Sequence, residues 1–165
     1  MRHNTLRTVL WAAFALYVLT LVYLLFLSPA FGRTTADFVN QGTYLSRLRD
    51  FIRWRSNFVP FRTIAGYIRG IGIGFSLRLA AINLLGNLAA FTPMGFFLPV
   101  LFKSLRRFLK FFLLLLGMLV LVEVSQLLLL VGSCDIDDII LNAAGAAAVW
   151  WLFKIPPLRR RVEKM

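Results

Sequence analysis

Charged residues are scarce in this chain of 165 residues, and cysteine and histidine, which are common in catalytic and metal sites, occur once each. Only 16% of the residues are charged, whereas soluble domains usually carry about 25%. The single cysteine, Cys134, excludes an intrachain disulfide and a cysteine zinc cluster. The single histidine, His3, argues against a histidine-based metal site or catalytic triad. These shortages disfavour a soluble enzyme.

Apolar residues are abundant instead, at 59% of the chain, and the mean hydropathy is +0.76. Such a chain cannot cover a water-facing surface, so the sequence predicts an integral membrane protein. The fold class is all-α, because backbone groups in lipid must pair within helices. The same composition excludes intrinsic disorder despite a formal net charge of +12. We expect the lipid bilayer as a partner, and no nucleic acid.

Four apolar segments predict a four-transmembrane-helix bundle, with spans at about 9–27, 79–102, 111–131 and 138–154. A span needs about 20 predominantly apolar residues, so four spans account for most of the length and residues 1–165 form a single membrane domain. Residues 28–78 form a long loop. Pro93 lies inside the second span and predicts a kink there, since its ring removes a helical hydrogen bond. The first segment is too long for a usual signal peptide, which favours a retained anchor.

The placement of basic residues predicts the orientation of these spans. Eleven basic residues lie in the termini and the loop between spans two and three, and eight lie within residues 32–78. The eleven basic residues of the first group occupy much shorter segments than the eight of the second. The last loop, residues 132–138, has three acidic residues and no basic residue. We therefore expect a multi-pass protein of the cell membrane with both termini in the cytoplasm.

Residues 44–54, within the long loop, alternate apolar residues and arginines with helical spacing. This pattern predicts a short amphipathic helix in the first extracytoplasmic loop, lying in the membrane interface. A helix packed over the outer end of the bundle fits the same spacing equally well.

Polar residues inside the predicted spans are costly in lipid and need an explanation. The second, third and fourth spans each carry a polar pair at a spacing of three or four residues, so each pair shares one helix face. A rise of about 1.5 Å per residue brings these faces to similar depths in the outer half of the bilayer, below an acidic turn. The predicted binding site is this outer-leaflet polar cluster, together with one nearby arginine: Asn83, Asn87, Glu123, Gln126, Asp135, Asp137, Asp138, Asn142 and Arg62.

Other roles for these residues stay open. Asparagine and glutamine in bundles often only join neighbouring helices, and an aspartate can cap a helix. Four of the acids are also candidate ligands of a divalent cation, which prefers oxygen ligands: Glu123, Asp135, Asp137 and Asp138. No cofactor is firmly implied. Cys134, beside the acidic turn, is interpreted as a small apolar filler rather than a nucleophile.

Four motifs in order resemble those of the VanZ-like family. They are Asn57-Phe58-Val59-Pro60-Phe61-Arg62-Thr63-Ile64, Asn83 to Asn87 with Phe91-Thr92-Pro93-Met94-Gly95-Phe96, Glu123-x-x-Gln126, and Asp135-Ile136-Asp137-Asp138 with Asn142 and Gly145. The resemblance covers about residues 57–153 and departs at Arg62, where lysine is usual. It implies a small four-helix membrane protein, common in Gram-positive bacteria, whose namesake contributes to resistance to the antibiotic teicoplanin, a lipid-tailed glycopeptide.

These observations support three hypotheses of function. The first is a cell-envelope protein that binds or modulates an amphiphile, such as a lipid-linked wall precursor or a lipoglycopeptide, with arginines facing phosphate or anionic lipid. Binding of a lipoglycopeptide would let the protein contribute to teicoplanin resistance. The second is a metal-dependent enzyme acting on a lipid-linked phosphate, and the third is a small transporter. No constellation of serine, cysteine or histidine offers a nucleophile, so binding is favoured over catalysis and no catalytic residue is assigned. The sequence leaves the ligand and the oligomeric state open.

Overall fold

The computed structural model describes residues 2–28, 42–71, 73–74, 76–152 and 155. The described chain is helical almost throughout. Its α-helices are α1 (Arg2–Val22), α2 (Tyr44–Arg55), α3 (Arg62–Gly70), α4 (Leu77–Ala90), α5 (Thr92–Leu101), α6 (Phe108–Leu129) and α7 (Ile136–Leu152). A π-helical turn, Tyr23–Leu27, extends α1, and a 3₁₀ turn, Lys103–Arg106, precedes α6. Two dipeptide strands, β1 (Ser56–Asn57) and β2 (Cys134–Asp135), pair in parallel. The all-α class is confirmed.

Three helical stretches are long and apolar enough to cross a membrane, judged by length and composition: Thr5–Leu27, Ala80–Leu101 and Phe108–Leu129. They coincide with the first three predicted spans. The helix α7 has 17 residues and is not one of the three. Residues 153 and 154 of the predicted fourth span lie outside the described residues. The fourth span therefore stays a prediction.

The second predicted span is interrupted at Phe91, between α4 and α5. Pro93 lacks a backbone N–H, so the helix cannot continue through it with a full set of hydrogen bonds. Side chains compensate for the interruption: the Thr92 hydroxyl donates to the Leu88 carbonyl oxygen at 2.8 Å, and the Tyr17 hydroxyl donates to that of Ala90 at 2.7 Å. The structure thus shows an interruption two residues before Pro93, and the kink at Pro93 stays a prediction.

The helix α7 contacts α4, α5 and α6, and two glycines allow its close approach. A Cβ atom added at Gly145 would overlap the Leu88 carbonyl oxygen of α4, and one added at Gly95 of α5 would overlap that of Ala146. Trp150 is buried near the carboxyl end of α7 and donates from Nε1 to the Leu105 carbonyl oxygen at 3.0 Å. Small residues therefore set the spacing of the helices around α7.

The predicted amphipathic helix is present as α2, with the Thr43 hydroxyl accepting from Ser46 N at its start. One face packs over the end of α6: Phe51 is buried against Leu130 and Cys134. The Tyr44 hydroxyl donates to the Leu128 carbonyl oxygen at 2.8 Å. The opposite side exposes apolar residues that include Trp54. The helix thus has a packed face and an exposed apolar face, and its placement in a membrane interface stays a prediction.

The contact between α4 and α7 predicts unequal effects of two glycine substitutions. We expect Gly145→Ala to lower the free energy of unfolding by about 1–3 kcal/mol, because its methyl group meets a backbone carbonyl that cannot turn away. Gly86→Ala is the matched control on α4, since a Cβ there meets nothing within 4 Å and alanine favours a helix over glycine. Thermal unfolding in detergent measures both. Equal unfolding temperatures for the two variants would contradict the close approach.

Candidate functional site

The strands β1 and β2 bring together two loops that are far apart in sequence. Ser56 pairs with Cys134, and Asn57 pairs with Asp135. The Asn57 side chain makes the local turn, because its Oδ1 accepts from Val59 N at 3.0 Å. Its Nδ2 donates to Asp135 Oδ1 at 2.9 Å and to Thr63 Oγ1 at 3.0 Å. Asn57 therefore joins the loop before α3 to the acidic turn before α7.

The Asp135 carboxylate lies at the centre of these contacts and is buried. Besides the Asn57 amide, it accepts from the Thr63 hydroxyl at 2.5 Å through Oδ2 and from Asp137 N at 2.9 Å through Oδ1. Each of these donors is a neutral group. Both oxygens of Asp135 are therefore engaged in holding the two loops together.

The Asp137 side chain, 0% exposed, caps the amino end of α3. Its Oδ1 accepts from Phe61 N, and its Oδ2 accepts from Thr63 N at 2.8 Å and from Ile64 N at 3.0 Å. The first N–H groups of a helix lack intrahelical partners, and the helix dipole favours a negative charge there. Phe61 adopts the left-handed conformation, with φ of 64°, which directs its N–H toward the carboxylate. Asp137 thus fastens α3 to the start of α7.

The two polar residues of α6 connect to different neighbours. Glu123 is buried, and its Oε2 accepts from Asp135 N at 2.8 Å, which ties α6 to the acidic turn. Gln126, 2% exposed, donates from Nε2 to the Leu25 carbonyl oxygen at 2.9 Å, in the π-helical turn that follows α1. Glu123 and Gln126 lie three residues apart on α6, as their spacing predicts, but the Gln126 amide contacts the π-helical turn after α1 and Glu123 contacts the acidic turn.

Three of the remaining predicted residues, Asn87, Asp138 and Asn142, meet where α4 and α7 cross. Asn87 donates from Nδ2 to Asp138 Oδ1, and Asn142 donates from Nδ2 to the Asp138 carbonyl oxygen at 2.7 Å. Asn83 is half-buried, one helical turn from Asn87 on α4. Tyr67 of α3 is half-buried. Burial, followed by the negative charges of Asp138 and Asp135, raises the pKa of the Tyr67 hydroxyl above its ordinary value. The side chain of Arg62, at the start of α3, is exposed beside the cluster.

Three polar residues of the site were missed from sequence: Asn57, Thr63 and Tyr67. The first two lie in the first family motif, but a motif does not show which distant loop it contacts. Tyr67 lies on α3 four residues after Thr63, so a helical reading of residues 62–70 would have put both on one face.

The metal interpretation gains no support from the structure. Within the described residues, no group of three or more His, Cys, Asp or Glu side chains could hold a metal ion. The carboxylates of Asp135 and Asp137 face N–H and O–H donors, and a cation would have to displace these donors. Cys134 is buried, and burial, with smaller effects of Glu123 and the neighbouring aspartates, raises its pKa to about 11. Its thiol is therefore protonated at neutral pH, in agreement with the predicted filler role.

Comparison with known proteins identifies one matching family model. It is described as VanZ/LLP1 and matches residues 14–157. The match extends well before residue 57, where the motif resemblance began, and takes in the carboxyl-terminal part of α1. No curated protein and no solved structure matches the chain.

The fastening role of Asp137 predicts that Asp137→Asn destabilises the protein. Asparagine offers one oxygen and one NH₂ group to three backbone N–H donors, so at least one donor loses its acceptor. We expect a loss of about 1.5–3 kcal/mol in the free energy of unfolding, with faster hydrogen exchange at the amides of Phe61, Thr63 and Ile64. Asp50→Asn, at an exposed acid of α2, is the control. Unchanged exchange at these amides would refute the capping role.

Proposed function

The chain belongs to the VanZ/LLP1 family of membrane proteins, and on this premise we propose that it binds an amphiphile at the outer leaflet of the cell membrane. The proposed ligand is a lipid-linked wall precursor or a lipid-tailed glycopeptide such as teicoplanin. Binding of the second kind of ligand would let the protein contribute to teicoplanin resistance in a Gram-positive envelope. Each step of the proposal has its own support.

The proposed topology has four spans, with α7 as the fourth and both termini in the cytoplasm. Its support is the contact of α7 with α4, α5 and α6, together with the bias of basic residues. In this arrangement α2, α3 and the acidic turn lie on the outer side. The apolar residues of α7 then face protein or lipid, and its acids lie at the outer end near water.

The main support for a ligand at this end is the surface above the buried cluster. Trp54, Phe58 and Phe61 are 76%, 60% and 61% exposed, and they lie in or beside segments rich in arginine. Aromatic residues of this kind suit the boundary between headgroups and acyl chains. Arg53 lies over the Trp54 ring, with its guanidinium carbon 5.2 Å from the ring centroid. We propose that α2 lies in this boundary and offers its arginines to the headgroup.

The choice of basic residue supports a phosphate-bearing headgroup. All eight basic residues within residues 32–78 are arginines, while all four lysines of the chain lie elsewhere. Arginine binds phosphate through two parallel hydrogen bonds, which a lysine cannot reproduce. Binding is favoured over catalysis because Asp135 and Asp137 are engaged by fixed donors, whereas a general acid or metal ligand needs an accessible oxygen.

If the arginines of α2 bind the headgroup phosphate, their removal should weaken the binding of an amphiphile that carries a phosphate. The probe is a polyprenyl pyrophosphate, titrated against purified protein in detergent. Replacing exposed Arg49 and Arg53 by glutamine should weaken binding about tenfold to thirtyfold, since each arginine near a headgroup contributes about 1 kcal/mol. Teicoplanin, compared with the same glycopeptide lacking its acyl tail, is the second probe.

The control removes the same charge from the other end of the bundle. Lys103 and Arg107 are exposed near the start of α6, and both are replaced by glutamine. This variant should bind the pyrophosphate as the wild type does. An equal loss in both double variants would show that binding depends only on net charge and would overturn the proposed site. Failure of the wild type to bind either probe would reject the function.

The topology predicts which introduced cysteines react on intact cells. In a Cys134→Ser background, Gly66→Cys on α3 should react with an impermeant thiol reagent, whereas Ser104→Cys should react only after the membrane is opened. Both positions are exposed, and a Cβ at Gly66 meets nothing within 4 Å. The reverse labelling pattern would invert the orientation.

A further inference from the structure

One buried acceptor lacks a hydrogen-bond donor in the part of the chain that the structure describes. Asn142 is 5% exposed and its Nδ2 is bonded to Asp138, but its Oδ1 has no partner. An unsatisfied acceptor of this kind costs about 1–3 kcal/mol, so the position calls for an external donor.

The residues around Asn142 restrict where a donor to its Oδ1 atom can lie. Asn142 shares a face of α7 with Asp138 and Gly145, and this face meets α4. Two nearby side-chain donors are already engaged: the Asn87 amide with Asp138, and the Thr92 hydroxyl with the Leu88 carbonyl oxygen. The missing donor therefore belongs beside Asp138, within the polar cluster.

The charge of the cluster indicates what kind of donor this is. Asp135 and Asp137 are 7% and 0% exposed, and their donors in the described chain are amides, a hydroxyl and backbone N–H groups. Neutral donors stabilise a carboxylate but leave its charge in place. Two adjacent buried negative charges, with Asp138 next in the chain, favour a positive group at this end of the bundle.

We propose that the polar cluster receives a protonated primary amine of the bound amphiphile, with one N–H donated to Asn142 Oδ1 and the charge facing the Asp138 carboxylate. This inference rests on the proposed function and specifies its headgroup chemistry. A hydroxyl would supply a donor without charge, and a trimethylammonium group would supply charge without an N–H. A primary amine supplies both, and a phosphate on the same headgroup would suit the arginines of α2 and Arg62.

Three probes with the same dodecyl chain separate these properties: dodecylamine, dodecyltrimethylammonium and dodecanol. Each is titrated against purified full-length protein in a neutral detergent, and thermal stabilisation and equilibrium binding are recorded. Wild-type protein should bind dodecylamine about tenfold or more tightly than either other probe, as expected for a charged hydrogen bond. Equal binding of all three would overturn the inference while leaving amphiphile binding intact.

Two variants test the two contacts separately. Asn142→Leu keeps a similar volume and removes the unsatisfied acceptor, so it should abolish the preference for dodecylamine over dodecyltrimethylammonium. Asp138→Asn keeps the shape and removes the charge, so it should abolish the preference for dodecylamine over dodecanol. If Asn142→Leu unfolds, Asp138→Asn still tests the charge. An unchanged preference in a folded variant would refute the corresponding contact.

Lipid nanodiscs and a soluble amine distinguish where the amine comes from. Phosphatidylethanolamine carries a primary amine, and phosphatidylcholine carries a trimethylammonium group on the same phosphate. Greater stability in phosphatidylethanolamine, lost in Asn142→Leu, would support a lipid-borne amine, whereas stabilisation by free ethanolamine would support a soluble one. Stabilisation by sodium or potassium ions alone, with no response to any amine, would overturn the inference in favour of a simple cation. Binding of no amphiphile at all would reject the proposed function itself.

Discussion

The contact between the Asp137 carboxylate and the amino end of α3 fixes the arrangement of the end of the bundle where α3 meets the start of α7. Three backbone N–H groups, of Phe61 and of the first turn of α3, donate to a side chain 73 to 76 residues later in the chain. Because Asp137 is fully buried, water cannot take over these bonds. Asn57 and Asp135 reinforce the same junction through β1 and β2. The exposed positions of Phe58 and Phe61, and the start of α3 at Arg62, all follow from it.

The acids of the cluster divide into two kinds on this view. Glu123, Asp135 and Asp137 accept bonds that join α6, the acidic turn and α3, so their contacts explain much of the motif as architecture. Asp138 faces Asn87 across the helix crossing, close to the unsatisfied oxygen of Asn142. A motif that resembles a ligand set in sequence is therefore largely a set of structural contacts, and the proposed amine contact involves only Asp138 and Asn142.

The sequence predicted the parts of the molecule that depend on periodicity. The apolar runs located the three candidate spans, and the spacing of arginines and apolar residues located α2. Polar pairs such as Asn87 with Asn83, and Asn142 with Asp138, were correctly assigned to shared faces. Periodicity carries no information about which loops pair, so the contact of Asn57 and Thr63 with Asp135 was not foreseen. The contact of Gln126 with the π-helical turn after α1 was missed for a similar reason, since nothing in the sequence marks the Leu25 carbonyl oxygen as its acceptor.

The helix α1 has a consequence for how the protein assembles. Only 6% of its most apolar stretch is buried against the rest of the chain. The polar ties described for it run from Tyr17 to the Ala90 carbonyl oxygen and from Gln126 to the Leu25 carbonyl oxygen. Both contacts join α1 or its π-helical extension to helices that follow in the chain, so neither contact can form until those helices have been synthesised. For this candidate span, membrane insertion and helix association are thus separable stages, and its association requires α4, α5 and α6.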